Sequence, residues 1–243
     1  MKKYLAALIA VLVFAVLAYF FITCGAPVDY MHTTGYVNPI THQQSNQSVP
    51  QQYVKDTKRD TGATNAVTAI VVEYRGFDTL GEVTVLFTAA TGVAVIIEGL
   101  RRKMERVVEP NFISKVGSVV VLPFIVLVGT YIFIHGHLTP GGGFPGGAVI
   151  ASGFLLLLLV HTTKGLPEKS LSVTESVAGM TYALIGLLGL ILATEFLQNY
   201  LPLGIYGTVF SAGIIPLIYI AIGFKVGSEL GGILNNLKGV HEE

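Results

Sequence analysis

The sequence predicts an all-α integral membrane protein of about six transmembrane helices, with a Gly/Pro-rich break before the fourth. Three observations lead there. Charged residues make up 12% of the 243 residues, about half the share of roughly 25% in a soluble protein. The mean hydropathy is +0.66. The hydrophobic residues, 52% of the chain, gather into runs near the ~20 residues that a helix needs to cross a hydrocarbon core of about 30 Å. These runs lack the alternation of membrane β-strands. Net charge is +0, so no nucleic-acid partner is implied. The single cysteine, Cys24, excludes an internal disulfide, a cysteine-held cluster or a zinc knuckle. Trp is absent, which leaves Tyr and Phe as interfacial anchors.

The first apolar run, Tyr4 to Thr23, follows Lys2 and Lys3. It exceeds the ~7–15 residues of a signal h-region and reads as a transmembrane helix. Residues 24–64 are rich in Gln, Asn, Ser, Thr and Pro and read as a long ordered or semi-ordered loop. In residues 65–80, Glu73, Arg75 and Asp78 interrupt an apolar face, which places the piece near an interface or inside protein. Gly76 marks a bend. The second span runs from about Leu80 to Leu100, where Arg101, Arg102, Lys103 and Arg106 stop it. Glu98 pairs with Arg101 or Arg102 on helical spacing.

The third span covers about Val116 to His135. The fourth, Ala148 to His161, is short unless its helix begins inside the Gly-rich stretch. The fifth covers Val173 to Leu197. The sixth covers Ile205 to Phe224, with an internal Pro216 expected to kink it. Lys and Arg lie before the first span, between the second and third, between the fourth and fifth, and after the sixth. The loops His135 to Gly147 and Gln198 to Gly204 hold none. This asymmetry predicts a multi-pass protein of the cell (plasma) membrane with both termini cytoplasmic.

The densest polar cluster is Arg75-Gly76-Phe77-Asp78-Thr79-Leu80-Gly81-Glu82. On one continuous helix Arg75, Asp78 and Glu82 share a face, and Thr84, Thr88 and Thr91 extend it into the membrane. A carboxylate at such a depth is a candidate proton or cation carrier. The alternative is an interfacial helix start whose acids suit the dipole and pair with Arg75.

The second cluster is His135-Gly136-His137-Leu138-Thr139-Pro140-Gly141-Gly142-Gly143-Phe144-Pro145-Gly146-Gly147. Pro140, Gly141, Gly142, Gly143, Gly146 and Gly147 are expected to break the helix. Broken backbone at membrane depth survives only against protein or a water-filled cavity. His137 is the first proton-path candidate of the loop and His135 the second; a tight turn capped by hydrogen-bonded histidine is the plain alternative. Metal ligation is not expected, because histidines two apart do not share a helix face. Glu195, near the outer end of the fifth span, and Lys225, at the inner end of the sixth, are secondary candidates. Glu195 and Glu175 read as helix-end carboxylates. Lys225 reads as a snorkelling residue, or as a buried one facing Glu195 or Glu82.

At these motifs the chain resembles a known family. NAVTAIVVEYRGFDTLGE, with Asn65, Glu73, Arg75 to Thr79, Gly81 and Glu82, resembles a segment near the C-terminus of the large A-type component of Mrp sodium/proton antiporters. HGHLTPGGGFPGG, with Gly136, His137, Pro140 to Phe144, Gly146 and Gly147, resembles the hallmark of the B-type component, though Leu138 and Thr139 stand where the family usually has Asn. The first match covers roughly residues 1–105, a two-helix segment with the polar loop. The second covers 106–243, a four-helix B-type (MnhB/MrpB-like) domain. Their fusion resembles a component of archaeal membrane-bound respiratory complexes of the hydrogenase or sulfur-reducing type.

The resemblance implies one component of a multi-subunit cation/proton antiporter module, with Na⁺ and H⁺ as cargo and no cofactor of its own. It implies partners among other Mrp-type antiporter subunits and a hydrogenase-like or sulfur-reducing module, and no catalysis by this chain alone. Glu82 then carries H⁺ or Na⁺ in alternation, with Asp78 and Arg75 tuning it. The alternative is a scaffold role, the small residues serving close helix contacts while the ion path runs in neighbours. A stand-alone transporter would show inverted repeats, and none is evident.

Overall fold

The computed structural model describes residues 36–37, 44–45, 49–98, 110–161, 165–193 and 195–238. The expected first span, Cys24 and the Glu98 ion pair lie outside the described backbone or side chains. The chain divides into two compact units, residues 1–54 and 55–243. In the first, strand β1 (Tyr36–Val37) pairs antiparallel with β2 (Gln44–Ser45), Tyr36 opposite Ser45. Helix α1 spans Val49–Asp60, where the sequence reads as loop. Pro50 lies in its first turn, where a missing N–H costs nothing, and Lys58 and Arg59 in its last turn oppose the dipole.

In the second unit a short helix α2 (Ala66–Ala69) passes directly into a π-helical turn, Ile70–Tyr74. Helix α3 (Gly76–Glu98) follows, then α4 (Phe112–Ile134), α5 (Gly143–Val160), α6 (Glu168–Leu192) and α7 (Ile215–Lys238). Helices α3 to α7 are each long and apolar enough to cross a membrane, so five such spans stand among the described residues. They coincide in order with the second to sixth expected spans.

Helix α7 is the centre of the bundle: α5, α6, α3 and α4 all pack on it. Its residues Ile215, Ile218, Ile222 and Val226 are buried, joined by Tyr182 and Ile185 of α6 and Val72 of the π turn. Glycines at the start of α5 make the approach possible. A Cβ on Gly146 would lie 2.7 Å from the Gly129 carbonyl oxygen of α4, and one on Gly147 would lie 2.7 Å from the Gly223 oxygen of α7. Two adjacent residues thus serve two opposite helix contacts.

Several expected boundaries move, among them the end of the last span, which runs to Lys238 and not to Phe224. The break is shorter than the composition suggests. Gly143, Gly146 and Gly147 are helical, and only the loop before them, through Pro140, Gly141 and Gly142, is broken. Pro145 sits in the first turn of α5, where it needs no hydrogen bond, and packing against α4 and α7 outweighs the low helix propensity of glycine. The last span starts at Ile215, ten residues after the expected Ile205. The apolar run 205–210 is a turn-rich loop, with Gly204, Gly207, Ala212 and Gly213 at positive φ. Pro216 is the second residue of α7 and kinks nothing; the internal proline is Pro123 of α4. The fifth span ends at Leu192, which leaves Glu195 in the turn beyond it.

Candidate functional site

The two sequence motifs meet at one end of the bundle. Asn65 caps α2 with its side-chain oxygen, which accepts from Val67 N at 3.0 Å. Its amide nitrogen donates to the carbonyls of Gly136 and Thr139, each at 3.0 Å. The backbone N–H groups of Thr64 and Asn65 both donate to the His137 carbonyl, at 3.0 and 3.1 Å. Thr68 Oγ1 donates to Gly136 O at 2.7 Å, and the Tyr219 hydroxyl of α7 donates to Thr68 Oγ1 at 3.0 Å. The carbonyls freed by the broken backbone are therefore taken up by the first motif. Gly142 has φ +147, which a side chain rarely adopts, and it lies against the Tyr219 ring.

His137 is fully buried in this knot. Its Nε2 lies 3.4 Å from the Thr208 carbonyl, and its Nδ1 has no partner. Burial pushes the imidazole below its ordinary pKa, and the Thr208 carbonyl opposes this. The ring is neutral near pH 7. His135 is different. It caps α4, its Nδ1 3.2 Å from Tyr131 O, and its ring stacks on Tyr131 at 4.3 Å between centroids. It takes the plain capping role.

The acidic motif is not one continuous helix. Arg75 ends the π turn in a non-helical conformation, so the expected shared face of Arg75, Asp78 and Glu82 is broken at its first member. Arg75 still reaches Asp78, at 2.5 Å. Thr79 Oγ1 donates to Val71 O at 2.6 Å and satisfies a carbonyl left over by the π turn. Asp78 and Glu82 are both exposed. The hydroxyls of Thr84, Thr88 and Thr91 donate back to Leu80, Thr84 and Phe87 carbonyls at 2.7 to 2.9 Å. The polar stripe is thus satisfied within its own helix.

Lys225 overturns its reading as a snorkelling residue. It lies mid-helix in α7 and is buried, and it faces neither Glu195 nor Glu82. Its Nζ is 3.1 Å from Glu229 Oε2 and 3.8 Å from Glu175 Oε1 on α6. Burial, the alternative to snorkelling, holds, with different partners. Glu195 is half-buried beyond α6, where its backbone N–H donates to Gln198 Oε1 at 3.2 Å. Its side chain joins none of these clusters.

Sequence reasoning passed over Thr68, Tyr219 and Glu229, and it named Glu73 without giving it a role. Glu73 lies just before α3, outside the candidate spans, with Oε2 buried and unpartnered. Burial raises its pKa to about 8; the Asn199 backbone amide opposes this and the Asp60 charge adds to it. The spacing Lys225–Glu229 was a legible signal, since residues four apart share a helix face. Among the described residues no group of His, Cys, Asp and Glu has the arrangement of a metal site.

Known proteins share this architecture. A family model described as a domain related to the MnhB subunit of Na⁺/H⁺ antiporter matches residues 113–232, and the MbhE model, which describes a component of MBH, matches residues 2–113. A polypeptide in the solved structure of the membrane-bound sulfane sulfur reductase, an archaeal respiratory membrane complex, is 43% identical, with a TM-score of 0.72 and 98% of each chain covered. An uncharacterised protein of Methanocaldococcus jannaschii is 30% identical over 67% of this chain and 72% of its own length. The B-type component of the Na⁺/H⁺ antiporter of Bacillus subtilis is 31% identical over 44% of this chain and 83% of its own length.

Proposed function

The chain belongs to the family of proteins related to the MnhB subunit of Na⁺/H⁺ antiporters, and from that premise we propose that it takes part in Na⁺/H⁺ exchange inside a redox-driven respiratory complex. Its partners are other Mrp-type antiporter subunits and a sulfur-reducing or hydrogenase-like module. The likeness to a polypeptide of a sulfur-reducing complex over nearly its whole length supports this. The chain is not a catalyst by itself in this reading, and its cargo is Na⁺ and H⁺. It sits in the plasma membrane with both termini cytoplasmic. The loops joining α4 to α5 and α6 to α7 carry no Lys or Arg, which supports that orientation.

The observation that carries the reading is the clasp of Asn65 and Thr68 on the Gly136–Thr139 loop. It ties the broken-helix loop to the short helix that leads, through the π turn, into the carboxylate-bearing helix. Glu82 is the cargo-binding carboxylate, with Asp78 and Arg75 setting its field and His137 lying beside the path as a neutral proton-exchanging ring. Glu82 is exposed near the start of α3, and its charge reaches the buried Tyr182 and Tyr219 hydroxyls. A scaffold role has one observation in its favour, the threonines of α3 that bond only to their own helix.

The test is Glu82→Gln in the assembled complex. Loss of Na⁺-dependent proton exchange, with subunit composition unchanged by mass spectrometry, is the expected result. Normal exchange by that complex removes Glu82 from the path and leaves the scaffold role.

A further inference from the structure

A second ionisable site lies inside the bundle, on helices that carry neither Asp78 nor Glu82. Glu229 is 2% exposed and Lys225 7%. Glu229 accepts from Lys225 Nζ at Oε2, 3.1 Å away, while its Oε1 is buried and has no partner. Glu175 of α6 approaches the same ammonium at 3.8 Å. Two carboxylates thus share one cation; Glu229 is sealed at Oε1, whereas the Glu175 side chain is 25% exposed. A buried carboxylate oxygen left without a partner is costly.

Among the described residues, the groups facing Glu229 are few. Lys225 comes from its own helix and Glu175 from α6; α3 presents the Phe87 ring, 5.2 Å from Lys225 Nζ. Helix α5 approaches this part of α7 through Gly147, beside Gly227 and Val226, and through Phe154, beside Gly231, and α4 presents Phe133 beside Gly223. None of these carries a charge.

We propose that the Glu175–Lys225–Glu229 triad is a proton-loading site in the membrane, filled by one proton on the free Oε1 of Glu229. A metal cation fits poorly, because among the described residues the ammonium stands beside the carboxylate oxygens on offer. The loading step is balanced simply. A hydronium ion gives up one O–H bond and leaves as water while its proton forms an O–H bond at Oε1 of Glu229, the formal charge of the triad goes from −1 to 0, and the Lys225 ammonium passes its pairing from Glu229 to Glu175. Release reverses each change. The two acids share the one ammonium, and Glu229 holds the proton in the loaded state. This deepens the reading of the chain as part of a proton-moving complex and rests on it for its purpose.

The test is pH-difference infrared spectroscopy of the intact complex in its membrane. The wild type is expected to show a carboxylic-acid C=O band that titrates. Glu229→Gln should delete it. Glu175→Gln should keep it but move its midpoint down by roughly one pH unit, a tenfold loss of proton affinity, because the loaded form no longer relieves a second negative charge. A titrating band set unchanged in Glu229→Gln overturns the proposal. If that variant fails to assemble, an unchanged midpoint in Glu175→Gln overturns it equally. Loss of the band in Glu175→Gln puts the proton on the wrong residue and also overturns it. Glu82→Gln should leave the band intact, so failure of the Glu82 assignment and failure of the triad are read separately.

Discussion

Of the most apolar window of α3, 6% is buried inside the chain; for α7 the share is 61%. Both helices bring carboxylates to the membrane, yet they place them oppositely. Helix α3 turns Asp78 and Glu82 outward and keeps Arg75 beside Asp78, each of that pair at least half exposed. Helix α7 holds Lys225 and Glu229 inward, against α6. An exposed pair is worth about 0–1 kcal/mol, because water and salt screen it. A buried pair adds little net stability when intact, but losing one partner leaves a charge stranded. The difference teaches where tolerance lies. The outward carboxylates meet their surroundings directly, whereas the inward ones are held by partners within the bundle.

The strongest way to break this comparison is Lys225→Met. It should destabilise the assembled complex by about 3–5 kcal/mol, measured as a lower midpoint of thermal dissociation in mild detergent. An unchanged midpoint would mean that the inward charges are not coupled to the packing. A second probe uses glycines. Gly147→Ala should cost about 1–3 kcal/mol through overpacking, since its Cβ would meet the Gly223 oxygen at 2.7 Å. Gly81→Ala on α3 meets nothing within 4 Å and should be neutral or slightly stabilising. Yield of the folded complex distinguishes the two. A further expected effect is a slope. Glu73, protonated when folded up to about pH 8, has an ordinary value of 4.5. The folded state therefore binds more protons in that window, and stability should fall as pH rises from about 5 to 8. Glu73→Gln should flatten that part of the thermal-stability profile.

Much of the fold was legible from residues. The apolar runs located the cores of all five described spans, because a bilayer demands ~20 apolar residues whatever the topology. The helix ends were not, and α7 shows why. Lys225 looks like a stop when charge is read along the sequence. In space it is paired by Glu229 from the next turn and by Glu175 from another helix, so α7 runs on to Lys238. The run 205–210 looks like the start of a span, but Gly204 and Gly207 bend it into turns. The glycines 143, 146 and 147 read as breakers and proved to be contacts, since a missing Cβ weakens an isolated helix and strengthens a crowded one.

The same division holds for the site. Sequence alone determined that the chain is a helical membrane protein, that the acids cluster at Arg75–Glu82, and that the backbone breaks within the Gly/Pro-rich stretch after His137. These are local properties: hydropathy, charge and the conformational freedom of glycine. Only the tertiary structure decided that Asn65 and Thr68 close over that break, that His137 is sealed and neutral while His135 merely caps a helix, and that Lys225 belongs with Glu175 and Glu229. Each of these joins residues far apart in the chain. Which polar group answers which is fixed by the requirement that every buried donor, acceptor and charge find a partner, and that requirement acts only once the helices have packed.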